Sequence, residues 1–377
     1  MENVLPPSST AERVQLRSAL RVLPAYKPGR FPAVSDVVQY KLSSNENPYP
    51  PLPSVRETVE KSAAGINVYP DMACAAITEA VAKRWDVPAG SVSFGAGSVE
   101  VASQIIRAVA GEGDEVIFAW RSFEAYPMLT ALAGATAVHV PLTTDERHDL
   151  PAMSAAVTHR TRLIFVCTPN NPTGTSVTAG ELHTFMESIP QDVLVVIDEA
   201  YVHFNVDPSA AHGIDFFRTY PNVVVLHTFS KAYGLAGLRI GYAIAPDYIS
   251  AALRAVAIPF GVSALAQTAA LASLNAEDEI KARITTLVAE REKLHSGLVR
   301  IGWDVVASDG NFLWLRTGEA THELEEIFTN AGVIVRAYPG DGIRISIGTV
   351  EANAKALEAA KNAFSRFTAT TQRTGER

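Results

Sequence analysis

The chain has 377 residues, 47% of them hydrophobic and 19% charged, with a formal net charge of −8. Extensive disorder is excluded by that composition, and the acidic balance argues against a general nucleic-acid binder. Its two cysteines, Cys74 and Cys167, form neither a CxxC pair nor a zinc-type spacing, so no metal is expected and a cytoplasmic setting is the default.

In chain order, residues 1–40 read as an N-terminal arm. Met1–Thr10 is polar and proline-bearing and lacks the basic start and apolar stretch of a signal peptide. A large α/β unit is expected over 41–272. Val99, Gln104–Ile106 and Val109 fall on a helical period, and strands are predicted at Glu115–Ala119, Arg162–Cys167, Val193–Ile197, Val223–His227 and Ile240–Ala245. These runs are short, β-branched and almost continuously apolar, as strands covered on both faces are. Helical periods between them, such as Leu182, Phe185, Met186 and Ile189, imply a mostly parallel sheet. The uncharged run Ala255–Asn275 carries Pro259, Gly261 and Gln267, a poor fit to a membrane span. A smaller α+β unit is expected over 273–377. It comprises a helix at Glu277–Arg300, strands at Trp303–Ala307 and Phe312–Leu315, a helix at His322–Ala331, strands at Val333–Arg336 and Ile343–Ile347, and a last helix from about Glu351.

Polar residues collect where strands end. Lys231 follows the strand Val223–His227 within Thr228-Phe229-Ser230-Lys231, ahead of Gly234, Gly237 and Arg239. Desolvation at a strand end lowers a lysine pKa, and the neutral amine can form a Schiff base with an aldehyde. Most lysines are surface side chains; here the neighbouring Ser230 and Arg239, both able to hold a phosphate, favour the chemical reading. Asp198 ends the strand Val193–Ile197, with Tyr201 three residues on. Such an aspartate points into the ligand crevice of an α/β sheet, although an ordinary helix N-cap would look the same. Asn171, in Cys167-Thr168-Pro169-Asn170-Asn171-Pro172, lies on a rigid turn after another strand. Gly95-Ala96-Gly97-Ser98-Val99 opens a helix and offers free N–H groups to an anion. Phe123 suits stacking on a planar ring as well as it suits a core. Arg344 stands in a period-2 apolar strand, where it either captures a carboxylate or forms a structural salt bridge; Arg336 is in a similar setting.

Taken together, Asn-Asn-Pro-Thr-Gly at 170–174, Asp-Glu-Ala-Tyr at 198–201 and Ser-Lys-Ala-Tyr-Gly-Leu-Ala-Gly-Leu-Arg at 230–239 resemble the histidinol-phosphate aminotransferase family, whose members are fold-type-I pyridoxal 5′-phosphate (PLP) enzymes. Lys41–Pro48 and Tyr69-Pro70-Asp71 add to the likeness, which runs from about Pro24 to Thr349. Phe118–Pro127 and Arg162–Cys167 look most like the actinobacterial aromatic amino acid (phenylalanine) aminotransferase branch.

The resemblance implies an α/β fold with a mostly parallel central sheet, a smaller C-terminal α+β domain and a homodimer. It implies that Lys231 carries PLP as a Schiff base, Asp198 pairs with the pyridine nitrogen, and Tyr201 and Asn171 bind the ring hydroxyl. Ser230, Arg239 and the backbone at Ser98 and Val99 would hold the phosphate, reached also by Tyr69 of a neighbouring subunit. Phe123 would stack on the ring, Arg344 would take the substrate carboxylate, and Tyr26 with Arg336 would line the side-chain end of the pocket. Two departures stand out: Val99 occupies a position often filled by Asp or Asn, and Phe123 one often filled by Tyr. The expected reaction is ping-pong transfer of the amino group of phenylalanine, tyrosine or tryptophan to 2-oxoglutarate. Histidinol-phosphate transamination is the alternative, with phosphoamino-acid decarboxylation a further rival on the same scaffold.

Overall fold

The computed structural model describes residue 17 and residues 39–374, with side chains described as far as residue 368. Twelve strands are present among these residues: β1 (Tyr40–Lys41), β2 (Val92–Gly95), β3 (Glu115–Trp120), β4 (Thr136–Pro141), β5 (Thr161–Cys167), β6 (Leu194–Asp198), β7 (Val223–Thr228), β8 (Gly241–Ile244), β9 (Phe312–Arg316), β10 (Val333–Ile334), β11 (Arg336–Tyr338) and β12 (Gly342–Ser346). Seven of them form one sheet in the order β2-β8-β7-β6-β5-β3-β4. Its pairs are parallel from β7 through to β4, and β8 runs against both of its neighbours.

The apolar runs explain why this sheet is central. Alternate residues of each strand face opposite sides. Ile117, Ile164, Val195 and Val225 enter one buried cluster, while Phe118, Phe165, Val196 and Val224 enter another on the opposite face. A strand buried on both faces has no polar side, which is why these segments read as unbroken hydrophobic stretches. The helix Ser98–Val109 covers one face with Val101, Ala102, Ile105 and Ile106. The helix Ala179–Ser188 starts at a capping box, in which Thr178 accepts from the Glu181 N–H and Glu181 accepts in return from the Thr178 N–H. Among the described residues, no helix is long and apolar enough to cross a membrane.

The second sheet has the order β11-β12-β9 and is antiparallel. The helices Glu277–Ile301 and Thr321–Asn330 pack beside it, and Val350–Thr374 packs on both of those helices. Two expectations fail here. Residues 303–307 form no strand. Trp303 is buried, but its indole N–H donates to the Ala360 carbonyl, and the Val305 carbonyl lies 3.1 Å from His295 Nε2. The Trp303 backbone N–H donates to the Leu298 carbonyl and the Val305 carbonyl faces His295, so these backbone groups are not free for a neighbouring strand. The predicted strand Val333–Arg336 divides in two: Val333–Ile334 pairs in parallel with β1, and Arg336 begins β11 and pairs with β12. β2 and β4 were not anticipated.

β5, β6 and β7 are parallel, so their C-terminal ends deliver Cys167, Asp198 and Thr228 to a single edge of the sheet. Ligands bind at such an edge in α/β folds.

Candidate active site

Along that edge lies a cavity of about 240 Å³, lined by Ser98, Val99, Phe123, Asn171, Asp198, Tyr201, Ser230, Lys231 and Arg239 together with Ser44, Glu46, Cys167, Ala200, Thr228 and Ala236. Nine of the residues singled out from the sequence thus share one wall. Roomier grooves occur elsewhere, such as the one lined by Arg147, Leu150, Ser154 and Phe185, which neither Lys231 nor Asp198 borders.

Asp198 forms the floor and is buried. The Tyr126 hydroxyl donates to its Oδ2 at 2.5 Å, and the Ala200 N–H to its Oδ1 at 3.2 Å. Burial pushes the carboxyl up to about 6 against these two bonds and the Lys231 charge, all of which favour the anion. Tyr126 is fully buried, stacked on Phe165 and edge-on to Phe123. It was overlooked in the sequence. The available signal was its place three residues after Phe123, which puts both rings on one side of a helical turn, and the need of a buried phenol for a partner.

Lys231 is half-buried. Its Nζ donates to the Ser44 carbonyl at 3.3 Å and sits 5.5 Å from the centre of the Tyr201 ring. Desolvation, joined by the positive charge of Arg344, brings the amine down to about 7. Glu46 and Asp198 work against that shift. Tyr201 is buried edge-on to Phe312, and its oxygen accepts from Asn45 Nδ2 at 3.0 Å.

The opposite end suits an anion. Gly97 has φ +82° and starts the helix Ser98–Val109, whose first turn borders the cavity. Arg239 Nη1 donates to Ser230 Oγ at 3.3 Å. A Cβ on Gly97 would stand 2.2 Å from Arg239 Nη2, so a glycine is needed for the guanidinium to approach the helix start. Unpaired N–H groups, a hydroxyl and a guanidinium converge there, a donor set for a phosphate. A phosphorylated aldehyde with a ring nitrogen fits these residues: anion donors at one end, an amine of depressed pKa in the middle and a buried carboxylate at the floor.

Arg344 lies beside the cavity and is buried. It donates to the Ser43 carbonyl at 2.8 Å, to Tyr338 Oη at 3.1 Å, and in a short bond to Asn171 Oδ1. Among the described residues its Nε has no hydrogen-bond partner. Among the described residues this guanidinium meets no carboxylate. A buried cation with neutral partners alone is costly unless an anion arrives. Arg336 differs, since its Nη2 is 2.7 Å from Glu124 Oε2 and it does not line the cavity. Tyr69 is exposed, stacked on Phe260, and does not line the cavity of its own chain. Tyr26 lies outside the described residues.

Behind the floor is a second polar pair that the sequence did not disclose. Glu199 Oε1 accepts from the Gly213 N–H at 2.6 Å, and Oε2 is 3.3 Å from His227 Nε2. Burial pushes the Glu199 carboxyl up to about 8 and holds His227 well below its usual value, so both are neutral near pH 7. The imidazole is sandwiched between Trp85 and Tyr242.

Comparison with known proteins adds to this geometry. The family model described as aminotransferase class I and II matches residues 37–359. The aromatic amino acid aminotransferase of Streptomyces coelicolor is 55% identical over 339 residues, covering 90% of this chain and 94% of the relative. That of Cutibacterium acnes is 52% identical over 347 residues, covering 92% and 98%. Among solved structures, the histidinol-phosphate aminotransferase of Sinorhizobium meliloti in complex with pyridoxal-5′-phosphate superposes with a TM-score of 0.80 at 26% identity, covering 86% of this chain and 90% of that one.

Proposed function

The chain belongs to the aminotransferase class I and II family, and on that premise we propose that it moves the amino group of phenylalanine, tyrosine or tryptophan to 2-oxoglutarate in a ping-pong reaction, with PLP as cofactor. The observation that carries the reading is Arg344, a buried guanidinium with no carboxylate among its described partners, beside a cavity that also holds Lys231 and Asp198. An α-amino acid brings the missing anion and an amine together. The 50–55% identical aromatic amino acid aminotransferases support the aromatic side chain.

When bound, PLP supplies an aldehyde carbon and an electron-withdrawing ring that together make the substrate α-proton acidic. The protein's part is positioning and proton transfer. Asp198 holds a proton at the ring nitrogen, and Tyr126 holds Asp198. Tyr201 Oη and the amide nitrogen of Asn171 would bind the ring hydroxyl; the Asn171 oxygen is already committed to Arg344. Ser230, Arg239 and the N–H groups of Ser98 and Val99 bind the phosphate, and Phe123 covers the ring face. Arg344 grips the carboxylate and so orients the α-hydrogen toward Lys231. The neutral Lys231 amine would take that proton and return it to the cofactor's former aldehyde carbon, on the far side of the nitrogen, acting first as base and then as acid.

A homodimer is part of the proposal. Ile66, Val68, Tyr69, Met72, Ile258 and Phe260 are all exposed, and the Tyr69 and Phe260 rings stack at 4.7 Å. Apolar side chains exposed in such number suit a subunit contact, and Tyr69 would reach the neighbour's phosphate site from there. A cytoplasmic setting is also proposed, supported by two buried, unpaired cysteines.

The test is single-turnover absorbance of the holoenzyme with each amino donor in turn. Phenylalanine and tyrosine should discharge the cofactor's visible band with a higher kcat/KM than histidinol phosphate; the opposite ranking overturns the substrate assignment.

A further inference from the structure

Three guanidiniums surround the ring of Tyr338. Those of Arg336, Arg121 and Arg344 lie 5.5, 5.8 and 5.9 Å from its centre. Arg336 and Arg344 are direct partners across the β11–β12 ladder and therefore share a face of that sheet. Three cations on one wall would make a strong site for a multiply charged anion. Two of them are already neutralised. Arg336 Nη2 lies 2.7 Å from Glu124, and Arg121 Nη2 lies 2.6 Å from Asp341. The two bridges run in opposite senses: the segment 121–124 supplies one cation and one anion, and the segment 336–341 supplies the complement.

Glu124 adjoins Phe123, which lines the cavity, and reaches across to the strand that faces Arg344. We propose that Glu124 is a specificity determinant: by neutralising Arg336 it leaves Arg344 as the one uncompensated cation on this wall among the described residues. One positive charge matches a carboxylate. It falls short of a phosphate monoester, which carries close to two negative charges near pH 7 and is best held by more than one guanidinium. A phosphate drawn to Arg336 must also meet the Glu124 carboxylate paired with it, so the selectivity is built from repulsion as well as from fit. 2-Oxoglutarate, with a carboxylate at each end, reaches Arg336 only by displacing Glu124.

This inference rests on the aromatic-donor reading above. Its test compares kcat/KM for phenylalanine and for histidinol phosphate in the wild-type holoenzyme, in Glu124→Gln, and in Glu124→Gln combined with Arg336→Gln. The ratio of histidinol phosphate to phenylalanine should rise at least tenfold in the single variant and fall back in the double one, because the gain requires the released Arg336. An unchanged ratio in a folded single variant, or a rise that persists without Arg336, overturns the proposal. Should Glu124→Gln fail to fold, Glu124→Asp withdraws the carboxylate by one methylene and gives the same test with a smaller rise; there too a flat ratio overturns it. A wild type that prefers histidinol phosphate defeats the aromatic-donor reading itself, whereas a wild type that prefers phenylalanine with a ratio insensitive to position 124 defeats this inference alone.

Discussion

The hydroxyl of Tyr126 donates to Oδ2 of Asp198 across 2.5 Å, and both groups are buried. The bond favours the ionised carboxylate, which desolvation opposes. Tyr126→Phe keeps the ring and its stacking on Phe165 and leaves that oxygen without its donor. Stability should drop by about 1–3 kcal/mol. The pKa of Asp198 should climb further, so the acid limb of the kcat pH profile should move to higher pH and kcat should fall roughly tenfold, a barrier increase of about 1.4 kcal/mol. Equal losses at every pH would point to a packing role for Tyr126.

Lys231 offers a test on the protein without its cofactor. The amine is brought down to about 7 from a normal value of 10.5. It is therefore protonated below that pH and nucleophilic above it. Labelling of the apoprotein by an amine-directed reagent, followed peptide by peptide, should be half-maximal at residue 231 near pH 7, while surface lysines lag by about three pH units. Lys231→Ala should end multiple turnover. Labelling at residue 231 that tracks the surface lysines would contradict the desolvated-amine account.

For Arg344, function and stability should separate. Arg344→Met removes the carboxylate anchor, so kcat/KM for phenylalanine should fall about 10²–10³-fold, or roughly 2.7–4 kcal/mol. The melting temperature should hold or rise, because a buried cation without a described anionic partner is removed. A structural ion pair would behave oppositely, since breaking one typically costs about 3–5 kcal/mol. Thermal denaturation beside steady-state kinetics separates the two.

Glu199 predicts a slope of stability against pH. Its carboxyl is raised from 4.5 to about 8 by burial, with Asp198 and Asp215 adding to the shift and the Gly213 N–H opposing it. Between those pH values the folded chain keeps a proton that the unfolded chain releases, so this group's contribution declines as pH rises through the window. Glu199→Gln keeps an acceptor for the Gly213 N–H and cannot ionise. Its melting temperature should gain on the wild type steadily from pH 5 to pH 8, as followed by circular dichroism; a constant difference would mean that Glu199 is not protonated in the folded state.

The inner strands were legible in the sequence because burial on both faces erases polar alternation. Ile164–Val166 and Val195–Ile197 could hardly be anything but buried. β4 escaped notice because five of its six residues are only half-buried or exposed and it ends at Pro141. β2 is four residues long, including Ser93 and Gly95. Trp303 and Val305 misled in the other direction: their alternation reflects burial under the helix Val350–Thr374 and near His295, and periodicity does not distinguish that from pairing. In the site, nine residues named from strand ends and turns line one cavity. Contacts formed across the fold were not legible. Tyr126 reads as core until its hydroxyl is seen on Asp198, and neither the bond of Glu124 to Arg336 nor the absence of a described carboxylate beside Arg344 can be read from local sequence.

One short stretch of chain reaches both Lys231 and Arg344. β1 is held to β10, and the residues after it present the Ser43 carbonyl to Arg344 and the Ser44 carbonyl to Lys231. The carbonyls of adjacent residues are joined by fixed covalent geometry and lie only a few ångströms apart. The backbone thereby acts as a ruler between the base and the carboxylate clamp, set for amine and acid on the same carbon. A β-amino acid, with one more carbon between those groups, should be turned away even when its ring is the same, and β-phenylalanine assayed beside phenylalanine would read the length of that ruler directly.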